Sequence, residues 1–185
     1  MIILGIDPGS ASGAFAIIDS AGPDFVVGDI PIIGKGRINS QGLASLMRNN
    51  ILGVPEHCFL ENARTMPKQG ISSSGRYMHA AGKIEAVVEM LDIPLTLVEA
   101  NVWKKALNLR GKDKEAARMR AVQLYPRAGN ALCRKKDHGR AEALLIARYG
   151  LGTLMLEKTP HAINRTSKLT GELYHPDHVT DPLPR

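Results

Sequence analysis

Short apolar runs separated by turn formers fill the first sixty residues, and helical repeats fill most of the remainder. "IILGI" (residues 2–6) is continuously apolar, as suits a strand covered on both faces, and the turn-rich "DPGSASG" follows it. "GAFAIID" and "DFVVGDIPI" read as two further strands joined by "SAGP", which predicts an antiparallel meander. Leu43, Leu46, Met47 and Ile51 recur at helical spacing behind a cap at Asn39 or Ser40, and "HCFLE" (57–61) is a fourth short buried strand. The clearest helix is "SSSGRYMHAAGKIEAVVEMLD" (72–92): Tyr77, Ala80, Ala81, Ile84, Val87, Val88 and Leu91 recur every three or four residues, and Pro94 ends the segment. "PLTLVEA" predicts a strand, "KDKEAARMRAVQLY" a helix stopped by Pro126, and "HGRAEALLIARYGL" the last helix. From residue 159 the chain has four prolines and no periodicity, so 1–157 reads as the folded domain and 158–185 as a disordered tail. Three strands followed by strands alternating with helices predict an α/β fold, a mixed five-stranded sheet flanked by helices.

At 185 residues and 44% hydrophobic, the chain has material for one sizeable core. Charge changes the picture. Lys and Arg number 24 against 18 Asp and Glu, a formal +6, which favours an anionic partner, nucleic acid first. The excess is regional: residues 1–60 hold three basic and five acidic side chains, whereas 100–140 hold twelve basic ones against Asp113, Glu115 and Asp137. A strip of this kind can track phosphates and make binding salt-sensitive. Two cysteines, Cys58 and Cys133, are too few for a disulfide framework. No apolar run approaches the ~18 residues of a membrane span, and "MIILGID" lacks the basic start of a signal peptide. A reducing, cytoplasmic setting without a membrane partner is the expectation.

Acids stand at three strand or helix ends. Asp7 closes the first strand, Glu61 closes "HCFLE", and Asp137 and Glu142 lie at the start of the last helix. Singly, each has an ordinary explanation: an Asp-Pro-Gly turn, a solvated strand end, a helix-dipole partner. If the first and fourth strands are neighbours, however, Asp7 and Glu61 emerge from the same sheet end, and the last helix can bring one or two more carboxylates across them. Converging carboxylates repel unless cations neutralise them. Hard oxygen ligands select Mg²⁺ or Mn²⁺, and two such ions about 4 Å apart support phosphodiester hydrolysis.

These segments resemble RuvC-type Holliday junction resolvases, in the form found in phage and prophage members. The resemblance lies in "LGIDPGSASGAFAIID", "FLEN", "SGRYMHAAGKIEAVVEML", "PLTLVEANVWKKAL" and "KKDHGRAEALLIARYG", in that order over about residues 2–150. It implies an RNase H-like fold, a homodimer, and divalent-metal-dependent nicking of two opposed strands at a four-way DNA junction. By position Asp7 and Glu61 match the first two metal-binding acids and Glu142 the last. For the remaining acid we take Asp137, with His138 as an alternative ligand or proton carrier. Lys104 matches a basic residue on the loop after a strand, and Lys112 or Lys114 a second one near the site. Arg64, Lys68, Arg76, Lys104, Lys105, Lys112 and Lys114 are the expected DNA contacts.

The chain departs from the pattern after the second acid. Relatives often carry a base-stacking aromatic there, and "ENARTMPKQG" offers Arg64 and Met66. Trp103 is expected in the core rather than against a base. The helix at 72–91 is the candidate dimer element through Ala80, Ala81 and Gly82, although core packing accounts for those small residues equally well. Rival readings are a YqgF-like RNA-processing nuclease, which shares the opening motif, and a non-catalytic junction binder. An actin-like sugar kinase would need a longer, duplicated chain with a second Gly-rich phosphate loop, so no nucleotide cofactor is expected.

Overall fold

The computed structural model describes residues 1–9, 13–34, 36–65 and 70–158. The apolar run after Met1 forms β1 (Ile2–Asp7), with Ile3, Leu4 and Ile6 inaccessible to solvent. β2 (Ala14–Asp19) returns antiparallel to it, pairing Asp7 with Ala14, and β3 (Phe25–Asp29) continues the meander. A small hairpin of β4 (Ile32–Ile33) and β5 (Arg37–Ile38) precedes α1 (Ser40–Arg48), whose cap Asn39 accepts a hydrogen bond from the Gly42 N–H at 3.0 Å. Then come β6 (His57–Glu61), α2 (Ile71–Glu89), β7 (Leu95–Val98), α3 (Ala100–Ala106), α4 (Lys114–Leu124) and α5 (His138–Glu157). The main sheet has five strands in the order β3-β2-β1-β6-β7, with β6 parallel to both β1 and β7.

Three elements differ from expectation. "DFVVGDIPI" is not one strand: β3 stops at Asp29, since Pro31 has no N–H for a ladder and its carbonyl instead accepts from the Asn39 N–H. The expected basic loop carrying Lys104 is a helix, α3. Ala and Lys favour that conformation, and the fully buried Trp103 anchors it. α5 also runs six residues beyond the expected end at 151.

The two sheet faces are covered differently. Leu4, Ile6, Phe15, Ile17, Cys58 and Leu60 form one core cluster with Leu43 and Met47 of α1 and Ile84, Val87 and Val88 of α2. Across the opposite face lies α5. A Cβ on Gly5 would stand 2.3 Å from the Ala143 carbonyl oxygen and 2.4 Å from the Ala147 nitrogen, and one on Gly150 would stand 2.1 Å from the Phe59 ring. α5 therefore presses its backbone on β1 at Gly5 and takes the β6 ring in return at Gly150. Ala80 and Ala81 are buried in the chain's own core, which accounts for their size.

The chain divides into units Met1–Gly152 and Thr153–Arg185. Of the second, only residues 153–158 are described; the expected tail from residue 159 lies outside the described residues. Among the described residues no helix is long and apolar enough to cross a membrane.

Candidate active site

Asp7 and Glu61 are the last residues of two parallel neighbouring strands, with Ile6 in register with Leu60. Both side chains therefore leave the same sheet end. Strand residues two apart share a face, so Asp7 lies on the face that Gly5 opens to α5, and Glu61 on the face of Phe59. Glu142, one turn into α5, joins them. Burial first, then the charges of Glu142 and Glu61, push the Asp7 carboxyl up to about 8. Glu61 is likewise raised, chiefly by burial; a hydrogen bond from Trp103 and the charge of Lys104 restrain the rise.

The groups around these acids are specific. Trp103 Nε1 donates to Glu61 Oε2 at 2.8 Å, and Lys104 Nζ lies 2.9 Å from Glu142 Oε1 and 5.0 Å from the Trp103 ring centroid. Burial pulls the Lys104 ammonium down, but its hydrogen bond to Glu142 and the charges of Glu142, Glu61 and Asp7 outweigh this and raise it. The Tyr77 hydroxyl of α2 is pushed up to about 12, by burial and then by the same three carboxylates. Sequence reasoning missed both aromatics as parts of the site. Trp103 was assigned to the core, where it is, but its indole N–H serves an acid. Tyr77 sits on the helical face that also fills the core, and nothing in its spacing separates the two roles.

Asp137, expected beside Glu142, is paired with Arg134 instead. Its carboxylate is 3% exposed and is held by Arg134, through the backbone N–H at 2.8 Å and Nη2 at 2.7 Å, with Arg140 Nη1 at 3.9 Å. The Arg134 hydrogen bonds keep its pKa below the ordinary value. Helical geometry gives the reason: five residues turn about 140° round the axis, whereas four return to nearly the same face. His138, four before Glu142, is the residue so aligned. Its Nε2 lies 3.0 Å from Lys114 Nζ and its Nδ1 3.3 Å from the Lys135 carbonyl oxygen. An ammonium can only donate, so Nε2 accepts and Nδ1 carries the proton. Lys114 in turn lowers the Asp7 carboxyl by its charge, which ties α4 to the acidic centre.

Among the other predicted contacts, Arg76, Lys105 and Lys112 are exposed. Arg64 is exposed but paired with Glu99, which also accepts from Asn62 Nδ2 at 2.7 Å. Lys68 lies outside the described residues. No group of three or more His, Cys, Asp or Glu side chains stands at coordinating distance among the described residues; the Lys104 ammonium supplies the countercharge. The donor set nonetheless suits a hard divalent cation, because Asp7, Glu61 and Glu142 offer only carboxylate oxygens, and burial followed by the charges of Glu142 and Glu61 pushes the Asp7 carboxyl up.

No protein-family model matches the chain. A segment of 54 residues, 29% of the chain, is 46% identical to the chloroplastic Holliday junction resolvase MOC1 of Chlamydomonas reinhardtii and spans 6% of that protein. RuvC of Thermus thermophilus superposes on 85% of this chain and 97% of its own, with a TM-score of 0.52 and 16% identity. The same protein in complex with a Holliday junction substrate covers 80% of this chain and 92% of its own, with a TM-score of 0.50 and 16% identity. At that identity the likeness is one of architecture: the chain has the RNase H-like fold of RuvC, a mixed five-stranded sheet with helices on both faces.

Proposed function

We propose that the protein is a structure-selective endodeoxyribonuclease that resolves four-way and related branched DNA junctions by metal-dependent hydrolysis, leaving 5′-phosphate and 3′-hydroxyl ends. The observation that carries this reading is the gathering of Asp7, Glu61 and Glu142 at one sheet end, with Asp7 raised to about 8. Carboxylates held against their mutual repulsion favour a cation, and a protein that only bound junctions would gain nothing from them. The shared fold and the segment similar to a named resolvase support the same reading.

Asp7, Glu61 and Glu142 would hold Mg²⁺ or Mn²⁺, two ions per site, with His138 as a further ligand or proton carrier. When bound, such ions activate water and offset charge on the leaving oxygen. The chain's own residues do the rest. Trp103 fixes the orientation of Glu61. Lys104 beside Glu142 and Lys114 beside His138 offer ammonium groups to the phosphate as its charge develops. Arg64, Arg76, Lys105 and Lys112 would contact flanking phosphates. A homodimer would supply the second cut. The outer face of α2 is its candidate surface, where Met78 is exposed and Gly75 and Gly82 have nothing within 4 Å of an added Cβ.

A cut-site map on a mobile four-way junction tests the proposal. Paired symmetric nicks in Mg²⁺, lost with chelator, support it. Nicks scattered over any branched substrate, or cleavage of structured RNA alone, count against it.

Two substitutions separate the site from its scaffold. Asp137→Asn should lower thermal stability by about 1–3 kcal/mol, since a buried acceptor loses its charged partner's full bond, and leave nicking within about tenfold of the parent. Glu142→Gln should show the converse, with stability held and nicking lost; equal nicking defects would restore Asp137 to the centre. Trp103→Phe keeps the ring but removes the donor to Glu61. The Mg²⁺ concentration for half-maximal nicking should rise about tenfold, as for other groups that orient a ligand. An unchanged Mg²⁺ dependence would show the indole N–H to be irrelevant.

A further inference from the structure

Away from the acids, the loop after α3 and one face of α4 line an open cavity of about 330 Å³ bordered by Leu107, Asn108, Lys112, Met119, Arg120 and Gln123. We propose that this cavity is an anion pocket that takes one backbone phosphodiester of the bound nucleic-acid strand. It rests on the nuclease reading only for the strand that carries the anion; the anion chemistry follows from the pocket itself.

Three observations point to a missing acceptor. The Nε of Arg120 is buried and has no hydrogen-bond partner among the described residues, and its Nη1 reaches only Gln123 Oε1, at 3.4 Å. Buried donors are almost always paired, so the Arg120 guanidinium, beside the cavity, is short of acceptors. Lys112 stands exposed at the same cavity, with no ion pair among the described residues. The lining holds two cations, two amides and no acid among the described residues. An anionic oxygen can accept from all four side chains.

The loop is shaped to keep them there. Asn108 and Gly111 take left-handed backbone angles, φ 60° and 74°. The Leu109 N–H donates to the Lys104 carbonyl at 2.7 Å, and the Lys112 N–H to the Leu109 carbonyl at 3.1 Å. Residues 116, 119, 120 and 123 follow the spacing of one face of α4, and Lys114, beside the acidic centre, falls on another. Arg120 lies six residues beyond Lys114, about 9 Å along the helix. A strand advances about 3.4 Å per nucleotide, so the phosphate in this pocket belongs at least two or three nucleotides from the scissile one.

Met119 supplies the test. The full chain, with ¹³C-labelled methionine methyl groups, is titrated with the dinucleotide thymidylyl-thymidine and with its uncharged methylphosphonate analogue. The Met119 methyl should shift saturably with the phosphodiester and not with the neutral analogue. The shift should vanish in Arg120→Gln, and in Lys112→Gln, a surface change that spares the core, binding should weaken about three- to tenfold. In parallel, four-way junction binding in Ca²⁺ across a salt series should weaken about tenfold in either variant, with the log–log salt slope reduced by about one. A Met119 methyl that ignores both dinucleotides, or answers both equally, overturns the pocket. So does an unchanged salt slope in a parent that binds junctions. A parent that binds no junction removes the nuclease reading, and the dinucleotide titration still decides the anion site.

Discussion

Asp7→Asn abolishes nicking, by about 10³-fold or more, and makes the metal-free protein more stable at neutral pH. The second effect follows from the first residue's surroundings. Burial, Glu142 and Glu61 push the folded carboxyl up from 3.8 to about 8, while in the unfolded chain it titrates near its ordinary value. Between those two pH values the folded state keeps a proton that the unfolded state has released. Stability from this group is therefore full below about pH 4 and is lost as pH rises toward 8, at about 1.4 kcal/mol per pH unit. Asparagine has nothing to titrate. In chelator, the parent's melting temperature should fall between about pH 5 and pH 8 by several degrees more than the variant's, and Mg²⁺ should restore the parent more than the variant. Parallel pH profiles for the two proteins would mean that Asp7 is not held in a repelling, dehydrated cluster.

Gly5→Ala is expected to be the most disruptive single methyl in the molecule. The added Cβ meets backbone on α5, at 2.3 Å from the Ala143 oxygen and 2.4 Å from the Ala147 nitrogen, and backbone cannot rotate away as a side-chain tip can. Moving α5 off β1 costs about 3 kcal/mol or more, on the order of 10 °C in melting temperature. It also carries Glu142 away from Asp7, so nicking should fall about 100-fold even where the variant is folded. Gly22→Ala is the control: nothing lies within 4 Å of its added Cβ, and its effect should stay within about 0.5 kcal/mol. A Gly5→Ala protein that melts and nicks like the parent would mean that α5 is not seated on β1 in this way.

The shared sheet end of Asp7 and Glu61 was legible because two short apolar runs, "IILGI" and "CFL", are each followed by an acid, and strands buried on both faces tend to lie side by side at a sheet's centre. α2 was legible because its apolar residues recur every three or four positions, whereas α4 was bounded by Pro126 and α5 read as the apolar run "ALLIA" behind a charged first turn. What was lost depends on geometry that a linear pattern carries weakly. Asp137 and His138 are adjacent in sequence, yet the start of α5 at His138 places one against Arg134 and the other on the face of Glu142. In the sequence the four-residue spacing to Glu142 favours His138, while charge type favours the aspartate. The Trp103–Glu61 bond spans 42 positions, and no local feature announces it. The end of β3 at Asp29 was foreshadowed by Pro31, whose lack of an N–H outweighs the apolar pattern on either side.

The central claim is that residues 7, 61 and 142 share cations although they come from two strands and a helix. Crystals soaked in Mn²⁺ test it most directly, through anomalous scattering. The account predicts one or two peaks touched by carboxylate oxygens of Asp7, Glu61 and Glu142, lost in Asp7→Asn, with Asp137 still on Arg134. Manganese bound only elsewhere, or these three carboxylates left without a common ion at saturating metal, would contradict it.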